Sequence, residues 1–78
     1  MEIPKEGEVW QHFKGEHMKY KIIAITNDTE TQEKRVVYEQ LYEGSDYPKG
    51  TLWDRPLKMF MSTKVVDGKE IQRFTKKE

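Results

Sequence analysis

The stretch "GTLWDRPLKMFMSTKVVDGKEIQRF", residues 50–74, decides how the rest of the chain is read. It opens on a short extended run, GTLWD (50–54). Next comes RPLKMFM (55–61), where Pro56 suits a first helical position because its missing N–H costs nothing there. Leu57, Phe60 and Met61 then fall at i, i+3 and i+4, one face of a turn. So short a segment is not helical alone, so packing must hold it. In KVVDGKEIQRF (64–74) the Asp67-Gly68 pair lies between extended residues and predicts a hairpin, since both turn positions need positive φ.

Upstream, three more runs rich in β-branched and aromatic residues read as strands. EVWQHF (8–13) follows Gly7 and ends before Lys14-Gly15, a turn in which the glycine allows positive φ. MKYKIIAIT (18–26) begins with Met18, Tyr20 and Ile22 on one face and Lys19 and Lys21 on the other. It then turns apolar on both faces, as expected where a strand bends to serve two packed sheets. KRVVYEQLY (34–42) puts Val36, Tyr38 and Tyr42 on one face and Val37 and Leu41 on the other. The links NDTETQE (27–33) and EGSDYPKG (43–50) are turn-like, and in the first Asn, Asp and Thr can bond their own backbone.

Four strands, one helical turn and a final hairpin predict a mainly β fold. Small antiparallel sheets avoid exposed edges by curling. The expectation is an SH3-like, partly open barrel with its helical turn near residues 56–61. An OB-type barrel comes second, because no helix is indicated between the third and fourth strands. The 78 residues make one domain, with an ordered core over 7–74 and a tail, 75–78, expected to fray.

Composition narrows the function. The chain has no Cys, so it has neither a disulfide nor a thiolate ligand or nucleophile, which fits a reducing cytoplasm. Its first residues lack the pattern of a signal peptide, and its longest apolar run, IIAI (22–25), is far too short to span a bilayer. Formal charge is zero, yet residues 26–54 carry seven acids and three bases, and residues 55–78 seven bases and three acids. That balance argues against a general polyanion binder, whose affinity comes from neutralising phosphates.

Candidate site residues emerge from two stretches. Trp53 and Arg55 lie two apart at a strand end, so they point the same way. The pair reads as an aromatic-plus-cation contact for a ligand. It reads more readily as a packing corner in which Trp53 covers the core and Arg55 pairs with an acid such as Glu30, since aromatics in small domains mostly supply buried area. In WQHFKG (10–15), Trp10 and His12 share a face, and His12 and Lys14 are candidate contacts. Nine aromatics exceed what a thin core hides, so Trp10, Tyr38, Tyr42, Tyr47 and Trp53 are candidates for a partly exposed cluster. Such a cluster can stack bases, hold a peptide, or cage a cation beside acids. The loop of Asp28, Glu30 and Glu33 lacks the glycine of a calcium loop, and only His12 and His17 offer nitrogen to zinc. No nucleophile motif or glycine-rich phosphate loop is present.

As an ordered set, HFKG (12–15), ET (30–31), VVYEQLY (36–42), W-D-R-P (53–56), Phe60 and DG…RF (67–74) resemble a family of small bacterial proteins known only as a domain of unknown function. The likeness covers residues 7–74. It departs from the family pattern at Trp10, where Tyr is usual, and at Asp28-Thr29, where His-Ser is usual. The resemblance implies a stand-alone cytoplasmic bacterial domain and brings no activity or site residue.

The expected function is therefore a non-catalytic binding module. Its surface would draw on Trp10, His12, Lys14, Glu30, Trp53 and Arg55, and its ligand would be a peptide or single-stranded nucleic acid. The expectation includes no metal, cofactor or membrane partner, and a monomer. The alternative is a small enzyme or small-molecule sensor with His12, Glu30 and Arg55 in one pocket.

Overall fold

A computed structural model describes residues 3–78. In chain order it contains β1 (Val9–His12), β2 (Lys19–Asn27), β3 (Lys34–Gln40), β4 (Leu52–Pro56), α1 (Leu57–Phe60), β5 (Thr63–Val66), β6 (Lys69–Gln72) and β7 (Phe74–Lys76). The larger sheet has the order β4-β3-β2-β1-β7, with every pairing antiparallel. β2, β3 and β4 form a meander, and the last strand returns to the first. The sheet curls without closing, so β4 and β7 keep unpaired outer edges. This is the small, partly open, SH3-like barrel expected from the sequence.

The change of pattern inside β2 has its counterpart in a register shift between Ile22 and Ala24 against β3. A bulge there bends the strand and increases its twist. The bend lets Tyr20 and Ile22 face one core together with Val36, Tyr38, Trp10, Phe60 and Phe74. Phe60 supplies the contribution of α1. Its ring stacks on Phe74 at 4.1 Å and meets Trp10 and Tyr38 edge-on. A four-residue helix survives because this one side chain is fully buried. Pro56 departs from its expected role. It has extended geometry (φ −57°, ψ 135°), ends β4 opposite Arg35, and caps the helix from outside.

Asp67 and Gly68 both have positive φ, and their turn joins β5 to β6. That hairpin forms a separate two-stranded sheet standing off the barrel, with Val65 73% exposed. The closing strand is β7. The tail that was expected to fray is tied to β1: Val9 N–H donates to the Glu78 carbonyl, and Lys77 and Glu78 N–H both donate to Val9. Nothing local in so polar a tail reveals this pairing, because β1 supplies the partners.

Candidate functional site

The gap between β4 and β7 is the mouth of the barrel. Trp53 and Arg55, on alternate positions of β4, both face it. The Arg55 guanidinium lies over the Phe74 ring at 5.6 Å, and this contact bridges the gap. His12 meets Phe74 edge-on at 4.9 Å from the β1 side. These residues, with Lys14, Tyr38 and Tyr20, enclose a cleft of about 200 Å³.

The cleft is electropositive. Among the described residues the ion pairs are Arg35 with Asp28 and Asp54, and Lys76 with Glu8, so Arg55 has no acidic partner. The expected pairing of Arg55 with an acid such as Glu30 does not form. Arg35 is the arginine whose charge is neutralised, through a 2.6 Å bond from Nε to Asp54. His12 stays neutral in the cleft. Burial, then the charges of Lys14, Arg55 and Arg73, push its pKa down to about 4. Its Nδ1 accepts the Lys14 N–H at 3.2 Å, which places the ring proton on Nε2. Burial also raises the Tyr38 phenol, against the pull of Arg55.

Past Trp53 the cleft opens into a trough of about 450 Å³, and the two share Met18, Tyr20 and Trp53. Its walls are Tyr20, Tyr42, Tyr47 and Trp53, and its far rim carries Glu43 and Asp46. Gln40 organises this end. It is 2% exposed, yet each side-chain polar atom is bonded. Its Nε2 donates to the carbonyls of Tyr42 (3.0 Å) and Tyr47 (2.8 Å), and its Oε1 accepts the Trp53 indole N–H at 2.9 Å. One buried amide thus folds the β3–β4 loop and sets the plane of the indole. Gly44 belongs to the same device, because a Cβ there would lie 2.9 Å from the Tyr47 carbonyl and 3.0 Å from Gln40 Nε2. The alternation Val36, Tyr38, Gln40, Tyr42 gave the signal that reveals Gln40: a glutamine in inward register.

The structure brings His12, Lys14, Trp53 and Arg55 together at one cleft. Two other expected site residues lie elsewhere. Trp10 is 3% exposed, packed in the core, with its indole N–H bonded to Glu8 at 3.0 Å. Glu30 sits in the β2–β3 loop, where its N–H donates to Asp28. That loop follows the end of β2 opposite the β1–β2 turn beside His12. The pocket of His12, Glu30 and Arg55 that an acid–base pair would need is not formed. Of the five aromatics expected in an exposed cluster, Trp10 and Tyr38 are buried, Tyr42 and Trp53 are half-buried, and Tyr47 is 52% exposed. No described helix is long and apolar enough to cross a membrane.

Fold and site together define a small, partly open antiparallel β barrel with a charged, aromatic-lined cleft at its mouth. The chain belongs to the family described as a protein of unknown function (DUF1653), whose model matches residues 8–76. No curated protein and no solved structure matches it.

Proposed function

We propose that the protein is a non-catalytic binding module that holds an extended peptide across the mouth of its barrel, with an acidic group of the peptide at Arg55 and Lys14. The observation that carries this reading is Arg55 itself. It is a half-buried guanidinium on an aromatic platform, beside Lys14 and a neutral imidazole, without an ion-pair partner among the described residues. A planar guanidinium in that state grips a carboxylate through two parallel bonds.

Two features favour a peptide over single-stranded nucleic acid. The trough ends in Glu43 and Asp46, which repel a continuing run of phosphates. The outer edge of β4 is unpaired beside the cleft, and an extended peptide can use such an edge through its main chain. The separation of Glu30 from His12 and Arg55 weighs against the enzyme or sensor reading.

Isotope-labelled protein titrated with a short alternating alanine–glutamate peptide, and separately with an oligouridylate, tests the proposal. The peptide is expected to shift the signals of the Trp53 indole, Arg55 and Lys14 and to saturate, with modest salt dependence. Tighter binding of the oligouridylate with a steep salt dependence, or no response to the peptide, would overturn it.

A further inference from the structure

The ring nitrogens of His12 face different surroundings. Nδ1 accepts the Lys14 N–H at 3.2 Å across the turn that follows β1, so the proton of the neutral ring sits on Nε2. Nε2 has no hydrogen-bond partner among the described residues, and none of their fully buried side-chain nitrogens is without one, so Nε2 opens to solvent. The side chain lines the cleft, and its ring and the Arg55 guanidinium rest on the same Phe74 ring. A half-buried N–H donor without a partner therefore lies beside an arginine without an ion pair. The charges acting on His12 are Lys14 from its own turn, Arg55 from β4 and Arg73 from the link between β6 and β7. The phenols of Tyr20 and Tyr38, from β2 and β3, also line the cleft, and no carboxylate does. Burial first, and then those positive charges, keep a second proton off the free ring.

We infer that His12 is a ligand contact, donating its Nε2 proton to the acidic group held at Arg55 and Lys14, and that the ring takes up a second proton from solvent as that group enters. That the group belongs to a peptide rests on the reading above. A carboxylate has several lone pairs, so the Arg55 fork and the imidazole N–H can share it. Once bound, it offsets the positive field at the ring. An opposite charge within about 4–6 Å favours the charged form by a factor of roughly 10 to 1,000. The second proton goes to Nδ1, which then releases the Lys14 N–H, and that amide lies at an exposed turn where water replaces the lost bond. Linkage is reciprocal: what the anion adds to proton affinity, the proton adds to anion affinity. Binding therefore tightens as pH falls from about 7 toward about 5, a range in which glutamate, titrating near about 4.3, stays largely ionised.

The test uses the full chain and two probes, the alanine–glutamate peptide and sodium sulfate, the latter against sodium chloride at equal ionic strength. For a coupling of about a hundredfold, peptide affinity is expected to be about tenfold higher at about pH 5 than at about pH 7. In spectra of the unaltered protein the His12 ring should titrate at higher pH when peptide is bound, and the Lys14 amide signal should move with it. His12→Gln, which keeps a side-chain N–H donor and cannot titrate, should lose the pH dependence. An unmoved His12 midpoint with equal affinity at the two pH values would overturn the proton-coupled contact. If that equal affinity still falls in Arg55→Lys, the peptide reading survives alone. If sulfate raises the His12 midpoint while the peptide binds at neither pH, the anion contact of His12 stands and the peptide reading falls.

Discussion

The two loops of the β2–β3–β4 meander are both polar and both carry acids, but they use those acids differently. In the β2–β3 loop, Asp28 accepts the N–H groups of Glu30 (2.8 Å) and Thr31 (3.1 Å), and those bonds, with Arg35 nearby, hold its carboxyl below its ordinary value. Arg35 then ties this loop to β4 through Asp54. The β3–β4 loop is instead folded from inside by the uncharged Gln40, which leaves Asp46, Tyr47 and the rim of the trough facing solvent. The two arginines of the β3–β4 ladder repeat the contrast, since Arg35 is paired with acids and Arg55 is paired with a ring. A charge already matched within the fold has little left for a ligand. The better sites are charges held in place by something neutral.

The largest expected effect comes from removing the support beneath Arg55. Phe60→Ala empties the position that stacks on Phe74, and should cost about 3–5 kcal/mol. For a domain whose stability is about 5–15 kcal/mol in all, urea denaturation should show an early transition or a population already unfolded. A wild-type midpoint would mean that the mouth is not built on this ring pair.

Gln40→Leu sharpens the contrast between the loops. It leaves the Tyr42 and Tyr47 carbonyls and the Trp53 indole N–H without their partner, at a cost of about 1–3 kcal/mol. Amide exchange should quicken over residues 41–51 and stay unchanged over 27–33. Uniform loosening of both loops would show that Gln40 acts on the whole core and not on one connection.

Acid separates the cleft from the rest of the barrel. The unfolded chain protonates His12 near 6.5, whereas the fold excludes that proton down to about 4. Stability due to neutral His12 is therefore complete above pH 6.5 and declines as pH falls toward 4. Glu8 adds a later loss. The Trp10 indole N–H, then the Lys5 N–H and Lys76, hold its carboxyl down to about 2, so its contribution fades from about 4.5 downward. Melting midpoints should show both declines, and His12→Gln should remove the first.

The smallest expected effect is in the hairpin. Gly68→Val strains a residue at φ +77°, but an added Cβ meets nothing within 4 Å and the hairpin stands off the barrel. The β5–β6 amides should lose protection while the midpoint moves little.

Legibility in the sequence followed the range of the interactions. Asp67-Gly68 and the Leu57–Phe60 spacing are local signals, and both elements formed where they point. Alternation in residues 34–42 gave the correct inward face, though its polar member was passed over. β7 escaped because its partner lies at the other end of the chain, and three residues, Phe74–Lys76, are too short a run to show alternation. Trp10 and Glu30 lie away from the cleft, and residue type alone does not reveal their engagement, of the indole by Glu8 and of the Glu30 backbone by Asp28. Trp53 and Arg55 were legible as a pair because two-residue spacing on a strand fixes a common face.

The most direct test is the affinity of Arg55→Lys for the alanine–glutamate peptide, measured beside its melting midpoint. Lysine keeps the charge and loses the planar fork and the surface that rests on Phe74. Binding through Arg55 predicts affinity about tenfold weaker, roughly 1.4 kcal/mol, with a midpoint close to wild type. A lowered midpoint with unchanged affinity would contradict it, making Arg55 a strut across the barrel mouth and not a ligand contact.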